Sequence, residues 1–357
     1  MNGPSYKEAL KLNESLSVAS DLMEDLRQFW NQRSKAAAEK YLGRVVPPRG
    51  RLGDPPDASH GQDPPPAPPG SAQLVRPPDL DRPAGRSQQP TVFLPPRPPV
   101  CSNEPIMRIE LLGTGGFHPN ERRHTACVLL PEVGIAFDAG TSVFRLPARL
   151  RTPDLHVFLS HSHLDHICGL TYLLVPLLRG DIRSCRLYAA PQVMRAVQQQ
   201  LFHEAVFPVW PGFELVELEP GRQYRIGEVE VSHHPLPSHP GGSRAFRVDW
   251  EQASQPRSFA YVTDTTVDGT YTEFIRGVDL LVHECNFADD MAAWCEKTGH
   301  SHTSQVANLA KDAAVIRLVL THVDPQHPED DPLGLETARR IFPATELAED
   351  ADVLEVP

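Results

Sequence analysis

The chain has 357 residues, enough for one large domain with a smaller segment beside it. Its 40% hydrophobic and 22% charged residues are ordinary for a folded chain in water, but 37 prolines exclude uniform packing. A net charge of −12 disfavours broad polyanion binding, no run of 18 apolar residues could span a membrane, and the first residues lack the basic start and apolar stretch of a secretory signal.

Residues 5 to 42 are expected to be helical. Ala9, Leu12, Leu16, Ala19, Met23, Leu26 and Trp30 recur at alternating spacings of three and four, a short heptad seam. Such a helix, taken as a segment over 1–43, could self-associate, dock on a partner, lie on the main domain, or have no special role. Residues 44–105 read as a disordered linker, because the 18 prolines between 47 and 105 come with almost no apolar clusters. A PxxP ligand for a partner domain is the alternative reading. Met107 stands at the head of the next domain, so a start there, with the residues before it a gene-model extension, is also left open.

From residue 106 the texture changes to apolar runs separated by Gly, Pro and Asp. Strands are expected over 107–113, 125–131, 134–140, 155–161, 185–190, 229–234, 244–250, 258–264, 279–284 and 316–322, with helices near 166–178, 191–203, 303–314 and 333–342. Strands first in hairpins and later alternating with helices predict an α/β domain over 106–357, two sheets with helices outside. Six scattered cysteines without a CxxC read as reduced thiols, which suits a cytoplasmic protein. Fifteen of the 16 histidines fall in this domain.

The densest group is His161-Ser-His163-Leu-Asp165-His166, directly after the apolar run LHVFLS. Three imidazoles and a carboxylate in six residues are the ligand types that zinc and similar divalent ions prefer. His239 in PSHPGGS, Asp264 after SFAYVT and His322 after IRLVLT are further candidates, the last two each closing a strand where a side chain can be aimed without disturbing the sheet. Seven ligands exceed one zinc and suit two, with a carboxylate between them.

This HxHxDH motif, with the later His, Asp and His at strand ends, resembles the metallo-beta-lactamase superfamily over residues 106–357. The opening LLGTGGFHPNERRHTACVLL, FDAG at Asp138, HEC at His283 to Cys285 and GHSHTS from Gly299 resemble its ribonuclease Z-like and phosphodiesterase branch. The resemblance implies an αββα sandwich and a two-metal hydrolase, with Zn2+ or Mn2+ as the ions and a hydroxide between them attacking a phosphodiester. It implies that His161, His163 and His239 hold one ion and Asp165, His166 and His322 the other, with Asp264 bridging. His300, supported by Glu284, would protonate the leaving group, with His302 as the rival donor. Asp138 and His283 would stand behind the ligands, and His118, His124 and His302 are candidate substrate contacts.

Two features set the chain apart from transfer RNA processing in that branch. Only 24 residues separate His239 from Asp264, too few for the long RNA-gripping arm that one form inserts there. The domain also carries 21 Arg and Lys against 34 Asp and Glu, a net −13, where phosphate contacts normally dominate RNA affinity. A local basic patch from Arg122, Arg123, Arg244 and Arg247 is the counter-expectation. The substrate is therefore expected to be a small phosphodiester such as a cyclic nucleotide, or an RNA 3′ end. Transfer RNA 3′ processing proper, hydrolysis of an ester, thioester or lactone, and a non-catalytic metal-binding scaffold are the alternatives, and the resemblance allows a homodimer.

Overall fold

A computed structural model describes residues 107–327 and 329–356. The heptad helix and the Pro-rich linker expected earlier in the chain lie outside the described residues. The strands of the first half are β1 (Arg108–Gly113), β2 (Cys127–Leu130), β3 (Ile135–Phe137), β4 (Asp154–Phe158), β5 (Ser184–Ala189) and β6 (Glu214–Glu217). The second half adds β7 (Tyr224–Ile226), β8 (Val229–Leu236), β9 (Ser243–Gln252), β10 (Gln255–Val262), β11 (Leu280–Glu284), β12 (Arg317–Thr321), β13 (Thr345–Leu347) and β14 (Asp352–Glu355). They form two seven-stranded sheets, ordered β14-β1-β2-β3-β4-β5-β6 and β13-β12-β11-β10-β9-β8-β7.

The period of two along each strand builds the layers. In β2, Val128 and Leu130 join a core that also takes Phe259 and Tyr261 of β10 and Leu280 and Val282 of β11, so this core lies between the sheets. The alternate residues Cys127 and Leu129 face outward onto the helical stretch that includes Ile167, Leu170, Val193 and Val197. On the second sheet, Ala260, Val262, Leu281, Leu318 and Leu320 face Val306, Ala307, Ala310 and Ala338. The helices are α1 (Leu164–Ile167), α2 (Leu174–Arg179), α3 (Pro191–Ala196), α4 (Ala292–Thr298), α5 (Thr303–Asp312) and α6 (Leu335–Ile341). The result is the expected αββα sandwich.

All ten expected strands are present. The four that were not expected, β6, β7, β13 and β14, are the four sheet edges. Edge strands are kept short and polar, which guards against pairing with other chains and also weakens their apolar signature.

Parallel pairing positions the site. β3 and β4 are parallel, as are β10, β11 and β12, so within each sheet the C-terminal strand ends emerge together. Loops at the carboxyl ends of parallel strands are the ordinary place for ligands in α/β sheets. Among the described residues no helix is long and apolar enough to cross a membrane.

Candidate metal centre

Each candidate ligand leaves the scaffold at such an end. His161 and His163 lie between β4 and α1, and Asp165 and His166 sit within α1. His239 is in the turn from β8 to β9, Asp264 is two residues past β10, and His322 directly follows β12. Asp138, Asp264 and His322 have φ of +59°, +39° and +60°, a left-handed bend that swings each side chain off its strand axis. Asp and His tolerate that region better than most residues.

The structure brings all seven together in two groups that share one carboxylate. His161, His163, His239 and Asp264 form one, and Asp165, His166, Asp264 and His322 the other, with donor atoms in each within 4.8 Å of one another. Oδ2 of Asp264 lies 3.6 Å from Nε2 of both His161 and His239, while its Oδ1 lies 3.2 Å from Nε2 of His166 and 3.1 Å from Nε2 of His322. One carboxylate thus presents one oxygen to each group.

The donor atoms carry the mark of cation sites. Nε2 of His166 and of His322 face each other at 3.2 Å, and Nε2 of His239 meets Nδ1 of His163 at 3.1 Å. Two lone pairs at that distance repel unless a cation or a proton intervenes. Nε2 of His161 is buried without any hydrogen-bond partner, which is costly for a polar atom. Mixed imidazole and carboxylate donors of this kind fit zinc or a similar divalent ion.

The opposite ring nitrogens fix the tautomers. Nδ1 of His239 donates to the carbonyl of Gly299 at 3.0 Å, and Nδ1 of His166 donates to Asp138 Oδ2 at 2.8 Å, so each Nε2 offers its lone pair to the site. Asp138 is held in turn by the backbone N–H and hydroxyl of Ser160 and by the Tyr261 hydroxyl at 3.1 Å. The Ser160 hydroxyl also reaches Nδ1 of His161 at 2.9 Å. Burial keeps His161 and His239 below the usual imidazole range, hence in the neutral, ligating form.

Beside the two groups, His300 stacks on His322 at 5.4 Å between ring centroids and lies 5.0 Å from His239. Its Nδ1 is 3.4 Å from Oε1 of Glu284, which also accepts the Thr265 N–H at 3.0 Å. Burial opposes a charge on His300, yet the Glu284 carboxylate prevails and its pKa is pushed up to about 9. His300 is therefore placed at the site, and its rival His302 is not: Nδ1 of His302 bonds Asp289 at 2.8 Å, outside the cavity.

Other expectations need correction. His283 does not stand behind a ligand. Its Nε2 meets the Tyr271 hydroxyl at 2.8 Å and its Nδ1 donates to the Glu284 carbonyl, so it is a buried structural residue of β11. His118 bonds the Pro119 carbonyl and His124 bonds Thr141, and neither lines the cavity. Nor do the four arginines form a patch. Arg122 and Arg123 both pair with Glu349, Arg122 also with Asp330, Arg247 pairs with Asp249, and Arg244 donates to His233.

A cavity of about 620 Å³ opens over both groups. Phe117, Leu164, Pro240, Phe287 and Pro325 supply its apolar wall, and Asn286, Thr298, Asp324 and Gln326 its polar rim. Sequence reasoning missed these wall residues and the roles of Ser160 and Tyr261. The period of β10 offered a signal for Tyr261, which faces the inner core from the strand that ends beside Asp264.

A family model described as a beta-lactamase superfamily domain matches residues 134–323. A protein named ribonuclease Z from Methanosarcina acetivorans is 27% identical over 302 residues, covering 71% of this chain and 99% of the relative. Another of that name from Methanosarcina mazei is 29% identical, covering 71% and 99%. Among solved structures, the metallo-beta-lactamase fold protein YhfI from Bacillus subtilis aligns with a TM-score of 0.58 at 22% identity, covering 70% of this chain and 100% of that one. The short form of human tRNase Z aligns at 0.55 and 21%, with the same coverage. The chain thus belongs to the metallo-beta-lactamase superfamily and is a metal-dependent hydrolase of its ribonuclease Z-like kind.

Proposed function

We propose that the chain hydrolyses phosphodiesters with two divalent cations, and that its substrate is a small diester such as a cyclic nucleotide. The observation that carries this reading is Asp264, one oxygen of which faces each histidine group. Ions held there, zinc or manganese by the donor set, would lower the pKa of water at the site and neutralise charge on phosphoryl oxygens. The remaining work falls to the chain itself. His161, His163 and His239 would hold one ion, and Asp165, His166 and His322 the other. Asp138, Ser160 and the Gly299 carbonyl orient three of these histidines. His300, next to His322, would give a proton to a leaving alkoxide, its charged form favoured by the Glu284 carboxylate 3.4 Å from its Nδ1.

The names of the relatives favour a second reading, cleavage at an RNA 3′ end. Against it, the Methanosarcina acetivorans alignment runs over 302 residues whereas 71% of this chain is about 253, so the relative has some fifty residues without a counterpart here. Together with the paired arginines and the acidic domain, this leaves little to grip a long polyanion.

The test is side-by-side turnover of bis(p-nitrophenyl) phosphate, cyclic nucleotides and a 3′-extended transfer RNA transcript by zinc-loaded protein, with Asp264→Ala as control. Small diesters should be cleaved and the transcript left intact. Site-specific cleavage of the transcript, lost in the control, would establish the RNA reading instead. Ester or thioester turnover without diester turnover would sink both.

A further inference from the structure

We infer that Phe117 is the specificity residue of this site, a platform on which a nucleobase carried by the group that stays on phosphorus stacks, and that the site selects singly charged diesters. The inference rests on the phosphodiesterase reading above and deepens it.

Phe117 is 74% exposed, more than any other large apolar side chain among those described, and Leu164, also on the cavity wall, is 68% exposed. Phe117 has φ of +55°, a left-handed conformation that is a strained outlier for a bulky side chain. An aromatic ring held in water by a strained backbone makes sense where something covers it. The loop is also tied to the catalytic groups. The Phe117 N–H donates to Oδ2 of Asp165 at 2.9 Å, and a Cβ on the preceding Gly116 would lie 2.5 Å from the His322 ring. Among the described residues the neighbouring His118 ring, 5.3 Å away by centroids, is the only aromatic contact of the ring.

Charge points the same way. Neither lysine nor arginine lines the cavity among the described residues, and Asp324 adds a negative charge at the rim. Apart from His300, whose charge Glu284 already balances, any substrate charge beyond what the ions neutralise meets no cation. A diester with one negative charge and an aromatic substituent fits this lining, whereas a phosphomonoester dianion does not. Base–aromatic stacking of this kind tolerates different bases, because every base offers a π face.

The experiment uses the zinc-loaded full chain and two diesters with the same leaving group, p-nitrophenyl thymidine 5′-phosphate and methyl p-nitrophenyl phosphate. The wild type should prefer the thymidine diester by about tenfold or more in kcat/KM, the range of a single stacked base. Phe117→Ala should remove that preference, chiefly through KM, while leaving the methyl diester nearly unchanged, and Phe117→Tyr should restore it. Binding of unlabelled thymidylyl-thymidine to the Phe117→Ala protein, read by calorimetry, should weaken in parallel. p-Nitrophenyl phosphate should be a poor substrate. Equal turnover of both diesters, or a preference that survives Phe117→Ala, overturns the platform. Efficient monoester turnover overturns the charge selection. Failure to cleave any diester with both ions bound refutes the underlying phosphodiesterase reading itself.

Discussion

Replacing Asp138 by Asn tests the hydrogen bond that sets His166, although the Ser160 and Tyr261 hydroxyls on the same oxygen must readjust with it. Asn tolerates the φ of +59° at this position, so the backbone should not object. Oδ1 accepts the Ser160 N–H at 2.8 Å and must remain an oxygen, which puts the new amide nitrogen in place of Oδ2, facing Nδ1 of His166 at 2.8 Å. An amide N–H there donates to Nδ1 and drives the imidazole proton to Nε2, the atom 3.2 Å from both His322 Nε2 and Asp264 Oδ1. A protonated Nε2 cannot ligate. Loss of such a supporting carboxylate ordinarily weakens metal binding by about 10- to 100-fold, or about 1.4 to 2.8 kcal/mol. The effect should fall chiefly on the second group, because the group of His161, His163 and His239 feels Asp138 only through the Ser160 hydroxyl at Nδ1 of His161. Competition with a chromophoric zinc chelator resolves the two steps, and circular dichroism checks that the fold survives. An Asp138→Asn protein that binds both ions as the wild type does would refute this account of how His166 is set.

Three further outcomes follow from the geometry. His300→Ala should slow cleavage of a diester with an alkoxide leaving group by about 10² to 10⁴, yet barely affect p-nitrophenolate, which leaves without a proton; equal losses would exclude the proton-donor role. Gly116→Ala places a methyl 2.5 Å from Cε1 of His322, so the ring must move, and activity should drop by about 10² with the far-ultraviolet dichroism unchanged. Stripping metal with a chelator should lower the thermal midpoint by on the order of 10 °C if free zinc had stood near a thousandfold above Kd, and added zinc should restore it.

How much of this was legible in the sequence depends on where each residue sits. Most of the ten central strands announce themselves because both faces are buried and their apolar runs are nearly continuous, as in RLVLT and FAYV, while β8 and β9 show instead an alternation of buried and partly exposed residues. The four edge strands do not, since ELVE at Glu214–Glu217 is mostly exposed and reads as loop. The seven ligands were legible because metal chemistry restricts the residue type and the strand ends restrict the place. Residues that act by shape were hidden. Phe117 looks like any loop phenylalanine until the fold leaves it uncovered at the cavity, and His283 looks like a site residue until Tyr271 is seen to satisfy it. The choice between His300 and His302 turned on the fold too, because two residues of spacing across the turn into α5 carry one ring to Glu284 and the other to Asp289.

The central claim is that two cations bridged by Asp264 hydrolyse a phosphodiester. Its most direct test is turnover of bis(p-nitrophenyl) phosphate as zinc is added back to metal-free protein in measured equivalents. Activity should appear with the second equivalent and be lost in Asp264→Ala. Full activity at one equivalent, or none at two, would contradict it.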